Sequence, residues 1–353
     1  MRLPVLSLTF AALVGSTLST LAGDGASRDF KSWQVLCSQA LSCTMRQFNA
    51  GREIGHFELQ RSGGPDAPAT LVVYAGASVL DEGSGDFSAT LTVDGGQPIA
   101  ISAADITLEP GGWALRLSGD FIGNGFITSL KNGTALRVVI TRGATSVEGE
   151  IGLEGAAASL LFVDEYQKRI GHTDAWVSPG EKVPNPAPPV RDLSRFADFP
   201  DRLSPRFAAG GECADTEESM LDGNALAHQL ADEQTLYVTP CGLGGAYNMA
   251  YAVFLDSYGT VSSLGFPTML DGAPSAAASA FNLSYDYETR TFSAFFKGRG
   301  VGDCGTVSKW TLKEGFTGPQ LVLIQEEYRD CPDQIDENAD FEIADWPKTW
   351  PLK

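Results

Sequence analysis

Seven of the chain's 19 prolines fall between Pro179 and Pro205, and neither a helix nor a central strand can run through that stretch. Proline fixes its own φ and offers no N–H to a helix turn or a sheet ladder. The run reads as a semi-extended linker over residues 179–206, with separate globular bodies expected at 23–178 and 207–353. The 353 residues, 43% of them hydrophobic, suffice for two modest cores.

Both halves read as mainly β with minor α. In the first, short alternating apolar runs at 33–37, 69–74, 87–93, 113–117, 136–140 and 147–153 read as strands. Asp94-Gly95 and Asn132-Gly133 read as turns between them. Within 156–170, Ala158, Phe162, Tyr166 and Ile170 recur at helical spacing, with Gly171 as the stop and the stripe facing the core. A sandwich or open barrel with one covering helix is the expected architecture. In the second half, 217–230 reads as two short helical pieces broken at Gly223. Strands at 235–239, 249–255, 280–285, 291–296, 308–312 and 321–326 then form an antiparallel meander, with Asp286-Tyr287-Glu288-Thr289 as a hairpin-like turn.

Met1-Arg2, an uncharged apolar stretch over 3–14 and small residues to Thr20-Leu21-Ala22 read as a secretory signal peptide cleaved after Ala22. The apolar run is shorter than the roughly 20 residues a span needs, and no later segment serves as an integral membrane segment. Six cysteines in an exported chain read as a disulfide framework. Sequence alone admits many pairings. Bridges between neighbours, Cys37 with Cys43, Cys213 with Cys241 and Cys304 with Cys331, keep each inside one local unit and are the expected set.

A net charge of −19 repels phosphate backbones, so nucleic acid is a poor partner. The chain has no G-x-S-x-G, S-x-x-K, H-E-x-x-H or P-loop pattern, and no cysteine spacing that suits zinc. His56, His172 and His228 fall on a strand, at the hinge and in a helical piece, without the flanking pattern of a catalytic base. Asp336, Asn338 and Asp340 mimic the start of an EF-hand loop. Phe341 and Pro347 stand where that loop needs its glycine and bidentate glutamate, so no metal is expected.

The 297–305 loop is the most unusual stretch. Gly298, Gly300, Gly302 and Gly305 free the backbone to form an anion-binding nest, and Lys297 and Arg299 supply charge. Those cations stand out because 207–289 holds eleven acids and no Lys or Arg. Tyr247 and Asn248, after a glycine-rich stretch, form a second candidate patch.

Two stretches carry a family resemblance. Trp33-Gln34-Val35-Leu36-Cys37 with Cys43 resembles the opening of invasion-associated locus B proteins, and 130–162 is similar to their closing segment. That family usually carries further cysteines in the domain, and none lies here between Cys43 and Cys213. Leu236-Tyr237-Val238-Thr239-Pro240-Cys241-Gly242, Gly245-Ala246-Tyr247-Asn248 and the run from Phe296 through Gly305 resemble the domain-of-unknown-function eleven-seventy-six family. The resemblances imply a Gram-negative periplasmic or secreted protein and assign no activity. The expected function is therefore an exported, envelope-associated binding protein without catalysis or cofactors, whose ligand sits at Lys297, Arg299, Gly300, Gly302, Tyr247 and Asn248. Its partner would be an envelope component or a cationic protein. The alternatives are an acidic inhibitor of cationic host enzymes, and an envelope-glycan hydrolase using Glu326, Glu327 or Asp303.

Overall fold

The computed structural model describes residues 25–351 apart from 50–51, 66, 82–83, 110, 317 and 334–345. The expected signal peptide and the acidic run at Asp336, Asn338 and Asp340 lie outside the described residues.

Alternating side chains draw the first half into two antiparallel sheets. Strands β1 (Ala26–Phe30), β2 (Trp33–Cys37), β3 (Cys43–Phe48), β4 (Ile54–Arg61) and β5 (Ala69–Ala75) form a meander. Next in the chain come β6 (Phe87–Val93), β7 (Ile99–Ile101), β8 (Ile106–Leu108) and β9 (Leu115–Leu117). The first sheet is ordered β1-β2-β3-β4-β5-β9-β8. Strands β10 (Ala135–Arg142) and β11 (Thr145–Gly152) join β6 and β7 in a second, ordered β11-β10-β6-β7. Trp33, Met45, Phe57 and Leu71 from one sheet meet Leu91, Val138 and Ile140 from the other in a single core. Neither sheet closes on itself, so the open sandwich is the architecture formed.

Among the described residues three helices, α1 (Ala77–Leu80), α2 (Asn124–Asn132) and α3 (Ala156–Tyr166), accompany the sandwich where one was expected. Asn132-Gly133 is the end of α2 and not a hairpin turn; a Cβ at Gly133 would meet Val93 at 2.5 Å. Helix α3 stops before Gly171 because Lys168 takes a left-handed φ of 58°. Its stripe meets the core only in part: Phe162 and Tyr166 are half-buried and pack against it, while Ala158 and Ile170 are exposed. Ala156, Ser159, Leu160, Val163 and Asp164 are the buried residues, while Phe162 packs sideways on Phe30. Asp164 is tolerated inside because Arg61 and the Trp176 and Val177 N–H groups all donate to it.

In the second half β12 (Val190–Asp192), β13 (Leu226–Ala231), β14 (Gln234–Pro240), β15 (Ala250–Ser257) and β16 (Thr260–Ser263) form one sheet in chain order. A hairpin of β17 (Phe266–Leu270) and β18 (Ala273–Ala277) follows, and then β19 (Ala280–Phe281), which pairs with β15. Strands β20 (Ser284–Asp286), β21 (Thr291–Lys297), β22 (Gly305–Gly315), β23 (Gly318–Arg329) and β24 (Lys348–Trp350) make the last sheet, again in chain order. Leu236, Val253, Phe292 and Trp310 fill the space between the two larger sheets. The expected helical pieces at 217–230 are a 3₁₀ turn (Glu218–Met220) and strand β13, which places His228 on a strand too. Pairing on both sides, with β12 and β14, outweighs the helical spacing of Leu226 and Leu230.

The proline-rich segment is not a free tether. Ala187 and Pro188 lie against Gly64 and Gly63 of the first half, while β12 and the buried Leu193, Phe199 and Leu203 belong to the second. The two halves also meet through the short loop closed by the Cys37–Cys43 bridge. Ser38 Oγ donates to Asp192 at 2.6 Å, Gln39 Nε2 donates to the Tyr285 carbonyl, and Gln39 Oε1 accepts from Tyr287 N–H at 3.4 Å.

Candidate functional site

The structure brings the two sequence-predicted patches together. Asn248 Nδ2 donates to the Lys297 carbonyl at 2.8 Å and its Oδ1 accepts from Lys297 N–H at 3.0 Å. Asn282 Nδ2 ties the same knot, donating to Asn248 Oδ1, Tyr247 O and Phe295 O. The Tyr247 ring lies over Gly300, where a Cβ would stand 3.5 Å from it.

The loop itself is largely committed to the fold. Arg299 Nε donates to Asp303 Oδ1 at 2.7 Å, Nη2 to Oδ2, and Nη1 to the Pro332 carbonyl at 3.0 Å. That guanidinium holds the Asp303 carboxyl below its ordinary range, against the opposing pull of desolvation. Gly298 N–H is taken by Cys304 O and Gly302 N–H by Arg299 O, so neither donor faces a ligand. Gly298 is required because a Cβ would sit 2.7 Å from Cys331 Sγ; Gly305, at φ 132°, presses on the Phe296 carbonyl. The Cys304–Cys331 bridge closes the base of this loop, and Cys213–Cys241 ties the segment before β13 to the end of β14. Lys297 differs. Among the described residues its ammonium makes no ion pair and rests 5.9 Å from the Phe295 ring centroid.

The carboxylates considered for acid–base work are also engaged. Glu326, buried, accepts from Thr268 Oγ1, Met269 N–H, Ser308 Oγ and Thr349 Oγ1 at 2.6–3.2 Å. Gln325 Nε2 donates to Glu327 at 3.0 Å. Four donors around one carboxylate occupy its lone pairs and leave none aimed at a substrate.

At the junction of the halves lies a groove of about 340 Å³. Leu41 and Gln39 come from the disulfide loop, Tyr166 and Lys168 from the end of α3, and Asp286, Tyr287 and Glu288 from the turn after β20. Burial, and after it the neighbouring Tyr287, pushes the Tyr166 hydroxyl above its ordinary range. Burial and then Glu288 do the same for Tyr287. Lys168 Nζ stands 3.9 Å from Glu288. Behind this wall His228 Nδ1 meets the Tyr285 hydroxyl at 2.7 Å, and burial followed by Arg290 lowers the histidine pKa to about 4. A cavity under Arg169 and Asp174 is only about 10 Å³, room for one water-sized sphere.

Sequence reasoning passed over the groove residues. Tyr166 read as core and Tyr287 as a turn tip; the available signal was an aromatic flanked by two acids at an exposed turn.

These features define an antiparallel β protein with three local disulfides and a polar groove between its halves. The chain belongs to the family described as protein of unknown function DUF1176, whose model matches residues 27–353. One model therefore spans both halves, and the comparisons do not show the likeness of the first half to invasion-associated locus B proteins. The chain is 27% identical over 345 residues to the uncharacterized protein YpfG of Escherichia coli strain K12, covering 92% of this chain and 93% of that one. No solved structure matches it.

Proposed function

We propose that this chain is an exported binding protein of the bacterial envelope, periplasmic or secreted, that holds a small ligand between its two halves and performs no chemistry on it. The observation that carries the reading is the groove of about 340 Å³, built jointly by both halves and placed where ligand sites commonly form. The three disulfides fit an oxidising compartment, and among the described residues no helix is long and apolar enough to cross a membrane. The pattern of residues 1–22 and a relative in a Gram-negative bacterium support the same address. The donors around Glu326 and Asp303 weigh against hydrolysis by those groups. The test is a thermal-shift screen of fractionated periplasmic small molecules. A ligand should raise Tm, and Tyr287→Leu should abolish the shift; a shift of equal size in that variant would remove the groove from the reading.

A second reading keeps the ligand at Tyr247, Asn248 and Lys297. The side-chain bonds that join Asn248 to Lys297 favour it, as does the Lys297 ammonium, which makes no ion pair among the described residues. Sulfate is the probe: Lys297→Ala should abolish a binding signal that weakens with salt.

A further inference from the structure

We propose that the groove between the halves binds a mono- or disaccharide; this rests on the binding reading above and names its ligand class. The ring of Tyr166 at the end of α3 and that of Tyr287 on the facing turn supply flat apolar surfaces with polar tips. A pyranose presents the complementary shape, a face of C–H groups edged by hydroxyls. Asp286 Oδ2, whose partner oxygen already takes the Glu288 and Thr289 N–H groups, and the Glu288 carboxylate beside Lys168 keep lone pairs that can accept from sugar hydroxyls.

The composition of the walls excludes other classes. Lys168 already faces Glu288 at 3.9 Å, so no unbalanced cation remains to capture a phosphate or a carboxylate. Among the described residues Leu41 is the sole aliphatic side chain lining the groove, too little apolar surface to hold an acyl chain. The volume of about 340 Å³ stands at the low end of the ~300–1,000 Å³ typical of ligand pockets, the size of a short saccharide.

The site is also ordered in advance. Gln39 accepts from Tyr287 N–H at 3.4 Å, and Asp286 Oδ1 fixes the turn by accepting from Glu288 and Thr289 N–H at 2.9 and 3.1 Å. The loop that carries Gln39 is closed by the Cys37–Cys43 bridge. The backbone that carries Tyr287 therefore needs little further ordering on binding.

The experiment titrates the full chain, with ¹³C-labelled tyrosine rings, against maltose, cellobiose and N,N′-diacetylchitobiose, and in parallel against trialanine and inorganic phosphate. At least one saccharide should shift the Tyr166 and Tyr287 ring signals saturably while exposed Tyr258 stays still. Tyr166→Leu and Tyr287→Leu, which keep bulk and so the fold but lose the flat ring, should each weaken that binding at least tenfold. If trialanine or phosphate moves those rings and the saccharides do not, the ligand class is overturned and the groove stands. If no probe moves them, the groove and the ligand class fall together.

Discussion

Thr268 Oγ1 donates to the Glu326 carboxylate at 2.6 Å, joining strand β17 to strand β23 across 58 residues of sequence. Thr349 Oγ1 in β24 donates to the other oxygen at 2.9 Å, so one buried carboxylate fastens a hairpin and a C-terminal strand to the same sheet. Hydrogen bonds to a charged group are worth more than neutral ones, and losing their common acceptor leaves several donors unsatisfied.

Glu326→Ala should therefore destabilise the protein by on the order of 3 kcal/mol, measured by urea unfolding. Glu326→Gln, which keeps the shape, should cost less. Equal stability of the alanine variant and the native chain would show that the hairpin is held by other contacts.

The second half's His228 makes stability depend on pH. Its folded pKa is lowered to about 4, below the 6.5 of the unfolded chain, by burial first and by Arg290 second. Between those values the unfolded chain binds the extra proton, so stability is full above pH 6.5 and falls as pH drops towards 4. At about 1.4 kcal/mol per pKa unit, the loss is at most about 3.5 kcal/mol. The expected outcome is a smaller drop in Tm from pH 7 to pH 4.5 for His228→Gln than for the native protein. Parallel curves would place the acid sensitivity in the carboxylates.

Arg61 and Asp164 give a test of buried charge in the first half. Arg61 Nη1 donates to Asp164 at 3.1 Å, its guanidinium lies 4.2 Å from the Trp176 ring centroid, and both partners are buried. Burial and then Arg169 lower the Arg61 pKa to about 10, still charged at neutral pH. Asp164→Ala should cost about 3–5 kcal/mol because it strands that charge and the Trp176 and Val177 N–H groups. The double variant Arg61→Met, Asp164→Ala should recover part of the loss, read from a double-mutant cycle. No recovery would mean the main-chain donors, and not the arginine, set the cost.

What the sequence disclosed divides along physical lines. Strand β2 was legible to the residue because Trp33, Val35 and Cys37 alternate with polar neighbours and one face is buried. Strand β13 was not, since Leu226 and Leu230 satisfy a helical spacing and only pairing with β12 and β14 makes them a strand. At the candidate site, the contact between Asn248 and Lys297 joins two stretches that sequence reasoning had singled out separately. Arg299 read as a free cation because Asp303 and the Pro332 carbonyl, its partners, are recognisable only once the loop is folded. The groove was hidden for a related reason. Tyr166 and Tyr287 are far apart in the chain, and their meeting depends on how the halves dock.

That docking is open to limited proteolysis, and here the halves are proposed to be separately stable. The proline-rich segment divides into two parts with different exposure to a protease. From Val190 onward it is anchored, through the β12 pairing with β13 and through buried Leu193, Phe199 and Leu203. Before Val190 it lies on the first half through exchanged main-chain bonds of Gly180 and Lys182 with residues 171–173, and through Ala187 near Gly64 and Pro188 near Gly63. None of residues 179–189 is buried, however, and Val183 is 79% exposed. Cleavage needs a local opening, and fewer buried side chains make that opening cheaper. First cuts should therefore fall within 179–189 and spare 193–206, leaving two folded fragments by mass spectrometry. Gln39→Ala, which removes the bonds to Tyr285 and Tyr287, should speed those cuts by loosening the junction. First cuts inside β2–β5 or β20–β23, with 179–189 intact, would show that the two halves unfold as one unit.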